Sequence, residues 1–184
     1  MRPAGVKLTY HDYVLFPDDG QRHELIDGEH YVTPTPRTRH QAIVVNLTGM
    51  IWNYLQDHPV GRVFTAPLDV ILSNYDVVEP DLHLSHERAS EVIRDWVHGP
   101  PDLVVEIVSP GTRKRDETIK KRLYERFAVS EYWVVDPELD MIKVYRRSEE
   151  RYARVAELSL ENKDVLTTPL LPGLEMPLSP IFSE

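Results

Sequence analysis

The chain has 184 residues, the length of one ordinary domain over 1–184, which at that size buries roughly 70 % of the surface its unfolded form exposes. Hydrophobic residues at 41 % and charged residues at 28 % sit near globular averages, which excludes disorder and a fibrous repeat. A formal charge of −9 argues against coating nucleic acid by bulk attraction, and the absence of Cys excludes disulfides and thiolate metal sites.

Any metal must therefore be held by carboxylates, His or backbone oxygens, which favours a hard cation over structural zinc. No stretch of about 18 apolar residues is present, so no membrane span is expected and the chain reads as cytoplasmic.

In chain order, Thr9 caps a short helix through Tyr13 to Phe16, which Pro17 and Asp18-Asp19-Gly20 break, leaving an N-terminal flap. Arg22 to Ile26 and His30 to Thr33 flank Asp27-Gly28, a dipeptide suited to the positive φ angles of a tight hairpin turn. From His40 onward, Ile43, Leu47, Met50, Ile51 and Leu55 recur at intervals of three and four, predicting an amphipathic helix of roughly five turns. Extended stretches follow at Arg62 to Leu72 and Val77 to Leu84, joined by a turn at Asn74-Tyr75.

Ser85 to Gly99 is charged and ends in Gly99-Pro100-Pro101, predicting an excursion with a short helix around Glu91 to Val97 that could close over a site. Leu103 to Val108 is an apolar run with one acid in the middle, as in a strand buried on both faces. Ser109-Pro110-Gly111-Thr112 ends it and opens a helix from about Lys114 to Phe127, with Ile119, Leu123 and Phe127 as its apolar stripe. Strands are expected at Glu131 to Val135, Met141 to Arg146 and Tyr152 to Leu158, before a proline-rich tail that packs along the domain.

The acid in the buried strand, Glu106, needs a partner, because an ionised carboxylate there loses several kcal/mol of hydration. Either a buried salt bridge or a metal would supply it. Asp81, after Pro80 in a neighbouring extended segment, favours the metal. Two adjacent carboxylates stay ionised only around a cation, and with the Ile107 carbonyl they suit octahedral Mg²⁺ or Mn²⁺ that keeps several waters.

On the following helix Asp116, Lys120 and Tyr124 fall at steps of four. They form either a surface ion pair or, if turned toward the strand ends, an ammonium that orients the attacking water. His83 and His86 read as surface residues, and Tyr132 and Trp133 as core or sheet-face aromatics. The basic run Arg113, Lys114, Arg115, Lys120, Lys121, Arg122 and Arg126 is either a local DNA contact, through Arg113, Lys114, Arg115 and Lys121, or a solvated helix face.

Pro80-Asp81, the run from Pro101 to Pro110, Asp116, Lys120, Tyr124 and the run from Glu131 to Pro137 together resemble the Uma-two family within the PD-(D/E)XK nuclease superfamily. Glu24-Leu25-Ile26-Asp27-Gly28-Glu29 and His40 extend the likeness over most of the chain.

The resemblance implies an α/β (α+β) restriction-endonuclease-like core, a mixed β-sheet flanked by helices with an N-terminal β-hairpin. It further implies Mg²⁺-dependent cleavage of DNA at a site of Asp81, Glu106 and a lysine, with Glu24 similar to an assisting N-terminal acid. The superfamily's usual lysine position, two residues after the second acid, is Val108 here, so Lys120 is expected to fill that role. Lys121, the adjacent fallback, faces about 100° away on a helix.

By analogy a homodimer is expected, and Glu106→Ala or Lys120→Ala is expected to abolish cleavage and leave the fold intact. The alternative function is a catalytically weak or inactive nuclease-fold module that binds nucleic acid or a protein partner.

Overall fold

A computed structural model describes residues 6–86 and 89–183 of the chain. After a four-residue helix α1 (Tyr10–Tyr13), the hairpin forms as its turn residues require. β1 (Arg22–Ile26) pairs antiparallel with β2 (Glu29–Thr33), and Asp27 and Gly28 both take positive φ, 51° and 75°. The long helix α2 (Thr38–Asp57) then buries Ile43, Leu47, Ile51 and Leu55, the predicted stripe.

The two extended stretches each break in the middle and feed different sheets. Arg62 to Leu72 gives β3 (Arg62–Thr65) and β4 (Val70–Ser73), while Val77 to Leu84 gives β5 (Asp76–Val78) and β6 (Leu82–Ser85). The prolines explain both breaks, since Pro67 and Pro80 lie in the gaps and cannot donate to a ladder.

The predicted excursion is not a lid. It contains α3 (Ala89–Val92) and β7 (Val97–His98), and β7 pairs parallel with β4, fixed by Val92 and Val97 in the core. Residues 87 and 88 of that excursion lie outside the described residues.

β8 (Leu103–Ile107) is buried along its whole length, as its apolar run predicts. A π-helical turn, Arg115–Lys120, then runs directly into α4 (Lys121–Arg126). β9 (Glu131–Asp136) lies parallel to β8, with β10 (Met141–Ser148) and β11 (Arg151–Ser159) completing a meander. The tail adds the short pair β12 (Val165–Leu166) and β13 (Met176–Pro177) and the helix α5 (Leu178–Ile181).

The result is a mixed six-stranded sheet, β11-β10-β9-β8-β6-β3, and a five-stranded sheet, β2-β1-β5-β4-β7. One core cluster joins α2 and the C-terminal tail to the large sheet through Leu47, Ile51, Val105, Trp133, Leu171 and Phe182. The other joins the large sheet, α4 and the small sheet through Val104, Tyr132, Leu123, Val70 and Val78. Among the described residues no helix is long and apolar enough to cross a membrane.

His83 corrects the sequence reading. It is a fully buried β6 residue, its ring stacked on Phe64 at 5.4 Å between centroids, and neither ring nitrogen has a hydrogen-bond partner among the described residues. All four β6 residues are buried, because sheet, helix and second sheet enclose both faces.

Candidate active site

β6 and β8 are antiparallel neighbours, Leu82 opposite Val105, which carries Asp81 and Glu106 to one end of the large sheet. Asp81 lies in the bend just ahead of β6, not within the strand. That bend aims its carboxylate at the backbone of the adjacent strand, where the Ile107 N–H donates to Oδ2 at 2.8 Å. Arg22 of β1 donates to Oδ1 at 2.7 Å, and His40 Nε2 of α2 lies 3.0 Å from Oδ2. Burial alone would raise this carboxyl, but the hydrogen bond and charge of His40, the Arg22 charge and the Ile107 N–H outweigh it and hold it at about 2.

Glu106 sits in a different balance. Burial pushes its carboxyl up, Lys120 pulls it down, and the charges of Asp116, Asp81 and Glu24 push it up again, to about 8. Lys120 Nζ is 2.9 Å from Glu106 Oε1 and 2.6 Å from Glu24 Oε1, while the Tyr124 hydroxyl donates to Glu106 Oε1 at 2.8 Å. Burial disfavours the Lys120 ammonium, yet Glu106, Glu24 and Asp116 around it raise its pKa above the ordinary value. The helix face of Asp116, Lys120 and Tyr124 therefore turns inward, and Ile119, predicted for the apolar stripe, is 38 % exposed.

The π-helical turn accounts for that rotation. The Lys121 N–H reaches back five residues to the Asp116 carbonyl, and the Tyr132 hydroxyl of β9 donates to the same oxygen at 3.0 Å. Glu24, from the centre of β1, is held by the Glu79 N–H at 3.2 Å and faces Arg115 at 3.7 Å.

Tyr124 gives a first test. Tyr124→Phe removes one donor from a buried carboxylate and is expected to lower stability by about 1–2 kcal/mol in urea unfolding. An unchanged midpoint would show that the hydroxyl does not hold Glu106.

Asp81, Glu106 and Lys120 are 4 %, 3 % and 2 % exposed and line the floor of a cleft of about 400 Å³. Ile107, Asp116 and Arg115 line it as well. Glu24 stands behind Lys120 and is not among the lining residues.

The basic run is only partly a free surface. Arg113 is ion-paired with Asp136 and Glu138, Arg115 donates to Thr33 Oγ1 at 2.7 Å, and Lys121 lies over the Tyr145 ring at 4.1 Å. Lys114 is exposed, as is Arg37, which lines the cleft.

Sequence reasoning missed Arg22 entirely, and a signal for it was thin: one Arg at the start of a hairpin strand, beside Glu24. His40 was singled out only by family likeness.

For a divalent ion, the chemistry of the donor set fits. Asp81 and Glu106 offer hard oxygens from adjacent strands, and Asp116 Oδ1, buried on the same cleft, lacks a hydrogen-bond partner among the described residues. No group of three His, Cys, Asp or Glu residues among the described residues forms a ready cage. Mg²⁺, which is usually bound through one or two carboxylates plus waters, does not require one.

The fold and this constellation define the class. The chain superposes on a crystal structure of a putative nuclease belonging to DUF820 from Anabaena variabilis with a TM-score of 0.79 at 18 % identity, covering 95 % of this chain and 97 % of that one. This is a restriction-endonuclease-like fold. The chain belongs to the Uma2 family, described as "Putative restriction endonuclease", whose profile matches residues 10–179.

The type IIG restriction endonuclease BpuSI matches at a TM-score of 0.42 and 14 % identity, over 70 % of this chain and 15 % of that one. No curated protein matches the chain. Family and fold together support a nuclease.

Proposed function

We propose that the protein is an Mg²⁺-dependent endodeoxyribonuclease, with Mn²⁺ able to replace Mg²⁺. Asp81, Glu106 and the Ile107 carbonyl would hold the ion. When bound, that ion supplies Lewis-acid polarisation of the phosphodiester and a source of hydroxide near neutral pH. The observation that carries this reading is the convergence of Asp81, Glu106 and Lys120 on one cleft floor.

Lys120 orients the attacking water and balances charge on the phosphate, and Glu24, at 2.6 Å, fixes its ammonium. Arg22 and His40 keep Asp81 ionised and aimed into the cleft. The hydroxyl of Tyr124, kept protonated by burial and the Glu106 charge, sets the Glu106 rotamer. Lys114 and Arg37 are exposed, with Arg37 on the cleft wall, and they meet the DNA backbone at the mouth of the site.

Calorimetric titration with Mg²⁺ or Mn²⁺ tests the site. Binding by the wild type that disappears in Asp81→Asn is expected. One observation favours a second reading, a nuclease-fold module without catalysis: Arg22 and His40 already satisfy Asp81, and Lys120 already satisfies Glu24 and Glu106. Failure to bind either ion at millimolar concentration would select that module.

A further inference from the structure

The hydrogen bonds of Asp81 leave one of its oxygens open to a divalent ion, and a cation of the protein already stands on it. Both lone pairs of Oδ2 are engaged, by the Ile107 N–H at 2.8 Å and by His40 Nε2 at 3.0 Å. Among the described residues, Oδ1 accepts from Arg22 Nη1 at 2.7 Å. An ion on Oδ1 would stand beside that guanidinium, and like charges close together in a site shielded from water repel strongly. The ion and Arg22 therefore compete for the same carboxylate.

Of the Arg and Lys side chains that contact the acids around the floor, Arg22 is the one able to yield. Lys120 faces both Glu24 and Glu106, and Arg115 faces both Glu24 and Asp116. Arg22 faces Asp81 alone and is the most exposed of the three.

Arg22 also has a second acid within its surroundings. Beside the cleft lies another recess of about 430 Å³, which Arg22 lines together with Asp18 and Glu79. Glu79 Oε2 is buried and has no hydrogen-bond partner among the described residues, an uncommon state for a carboxylate oxygen and one that a guanidinium would relieve. Arg22 Nη1 lies 3.5 Å from the carbonyl oxygen of the same residue. The guanidinium thus already borders Glu79, and a change of side-chain rotamer, with β1 unmoved, exchanges one acid for the other.

We infer that Arg22 holds the cation's place on Asp81 while no divalent ion is bound and passes to Glu79 when one enters, so that it sets the Mg²⁺ concentration at which the site fills. This rests on the metal-dependent reading above. Apparent affinity falls in proportion to the fraction of molecules competent to bind, so Arg22 off Asp81 in about one molecule in ten makes the site about ten-fold weaker. Arg22 is a positioning residue here: it keeps Asp81 charged and aimed until the ion takes over that task.

Calorimetric titration with Mn²⁺ and urea unfolding in EDTA, each on wild type, Arg22→Gln and Glu79→Gln, test this. Arg22→Gln is expected to bind Mn²⁺ about ten-fold more tightly, about 1.4 kcal/mol, although its unfolding midpoint drops because Asp81 loses a partner. A purely structural arginine would lower the midpoint without tightening the ion. Glu79→Gln, which leaves Arg22 and Asp81 in place, is expected to bind Mn²⁺ at least about three-fold more weakly, because the displaced guanidinium loses its charged destination.

Equal or weaker binding by Arg22→Gln, with wild type still binding, overturns the inference and leaves the metal-dependent reading standing. Should Arg22→Gln fail to fold, unchanged or tighter binding by Glu79→Gln overturns it in the same way. Binding by neither wild type nor Arg22→Gln removes the inference and the metal-dependent reading together.

Discussion

Lys120→Met is expected to abolish metal-dependent cleavage and also to lower folding stability by about 3–5 kcal/mol, the usual penalty for breaking a buried ion pair by removing one partner. The side chain is 2 % exposed and stands within 2.9 Å of both Glu24 and Glu106. Without its ammonium, Glu24, Glu106 and Asp116 are left crowded in a buried space with Arg115 alone on the helix side. Glu106 can relieve part of this by holding a proton, since burial and the charges of Asp116, Asp81 and Glu24 already push its carboxyl up and the opposing pull of Lys120 is gone.

The sequence alone led us to expect an intact fold after loss of Lys120; the burial of its ammonium between Glu24 and Glu106 leads us to expect a loss of stability as well. Glu106→Gln is the cleaner probe, because it keeps the side-chain shape and leaves Lys120 paired with Glu24. Cleavage by Glu106→Gln is expected to fall on the order of 10²–10³-fold or more with a small change in stability. Urea unfolding and a plasmid-cleavage assay on both variants read the two effects separately. Full activity in both would sink the assignment of the site.

Acid should destabilise the protein through His83. Burial of its ring with no hydrogen-bond partner pushes its pKa down from 6.5 to about 4 in the folded chain. Between those values the unfolded chain binds a proton that the folded chain refuses, so stability is full above pH 6.5 and falls as pH drops toward 4. The loss is about 3 kcal/mol over that window.

His83→Leu, similar in volume and apolar, is expected to flatten this dependence. It should also raise stability at neutral pH by about 1–3 kcal/mol, the cost of a buried unsatisfied polar group. Denaturant midpoints measured from pH 4 to 7 check both claims. A wild-type slope that persists in the variant would locate the acid sensitivity elsewhere.

What the sequence revealed depended on whether a residue's environment is set locally. Glu106 was legible because an acid inside Leu103 to Val108 breaks a pattern that each neighbour obeys. Asp81 was legible through its place after Pro80 in the next extended segment. The hairpin followed from Asp27-Gly28, and α2 from its spacing of three and four.

Failures came where tertiary contacts overruled local pattern. Ile119, Leu123 and Phe127 form a respectable apolar stripe, yet the charged network of Glu24 and Glu106 draws Asp116 and Lys120 inward and leaves Ile119 outside. His83 looked like a loop histidine because only the second sheet, built from distant segments, covers it. Arg22 pairs with Asp81 across 59 residues of chain, a partnership that neither composition nor period encodes.

The π-helical turn carries a last consequence, for how such chains are compared. Counting residues measures angle around a helix only while each adds the same rotation, and between Arg115 and Lys120 that ruler stretches. The four-residue steps from Asp116 to Lys120 to Tyr124 therefore do not describe evenly spaced points on a regular helix. A chain without the widened turn would need its lysine at a different count from the strand acid to bring the ammonium to the same place, and a motif with rigid spacing would pass over it.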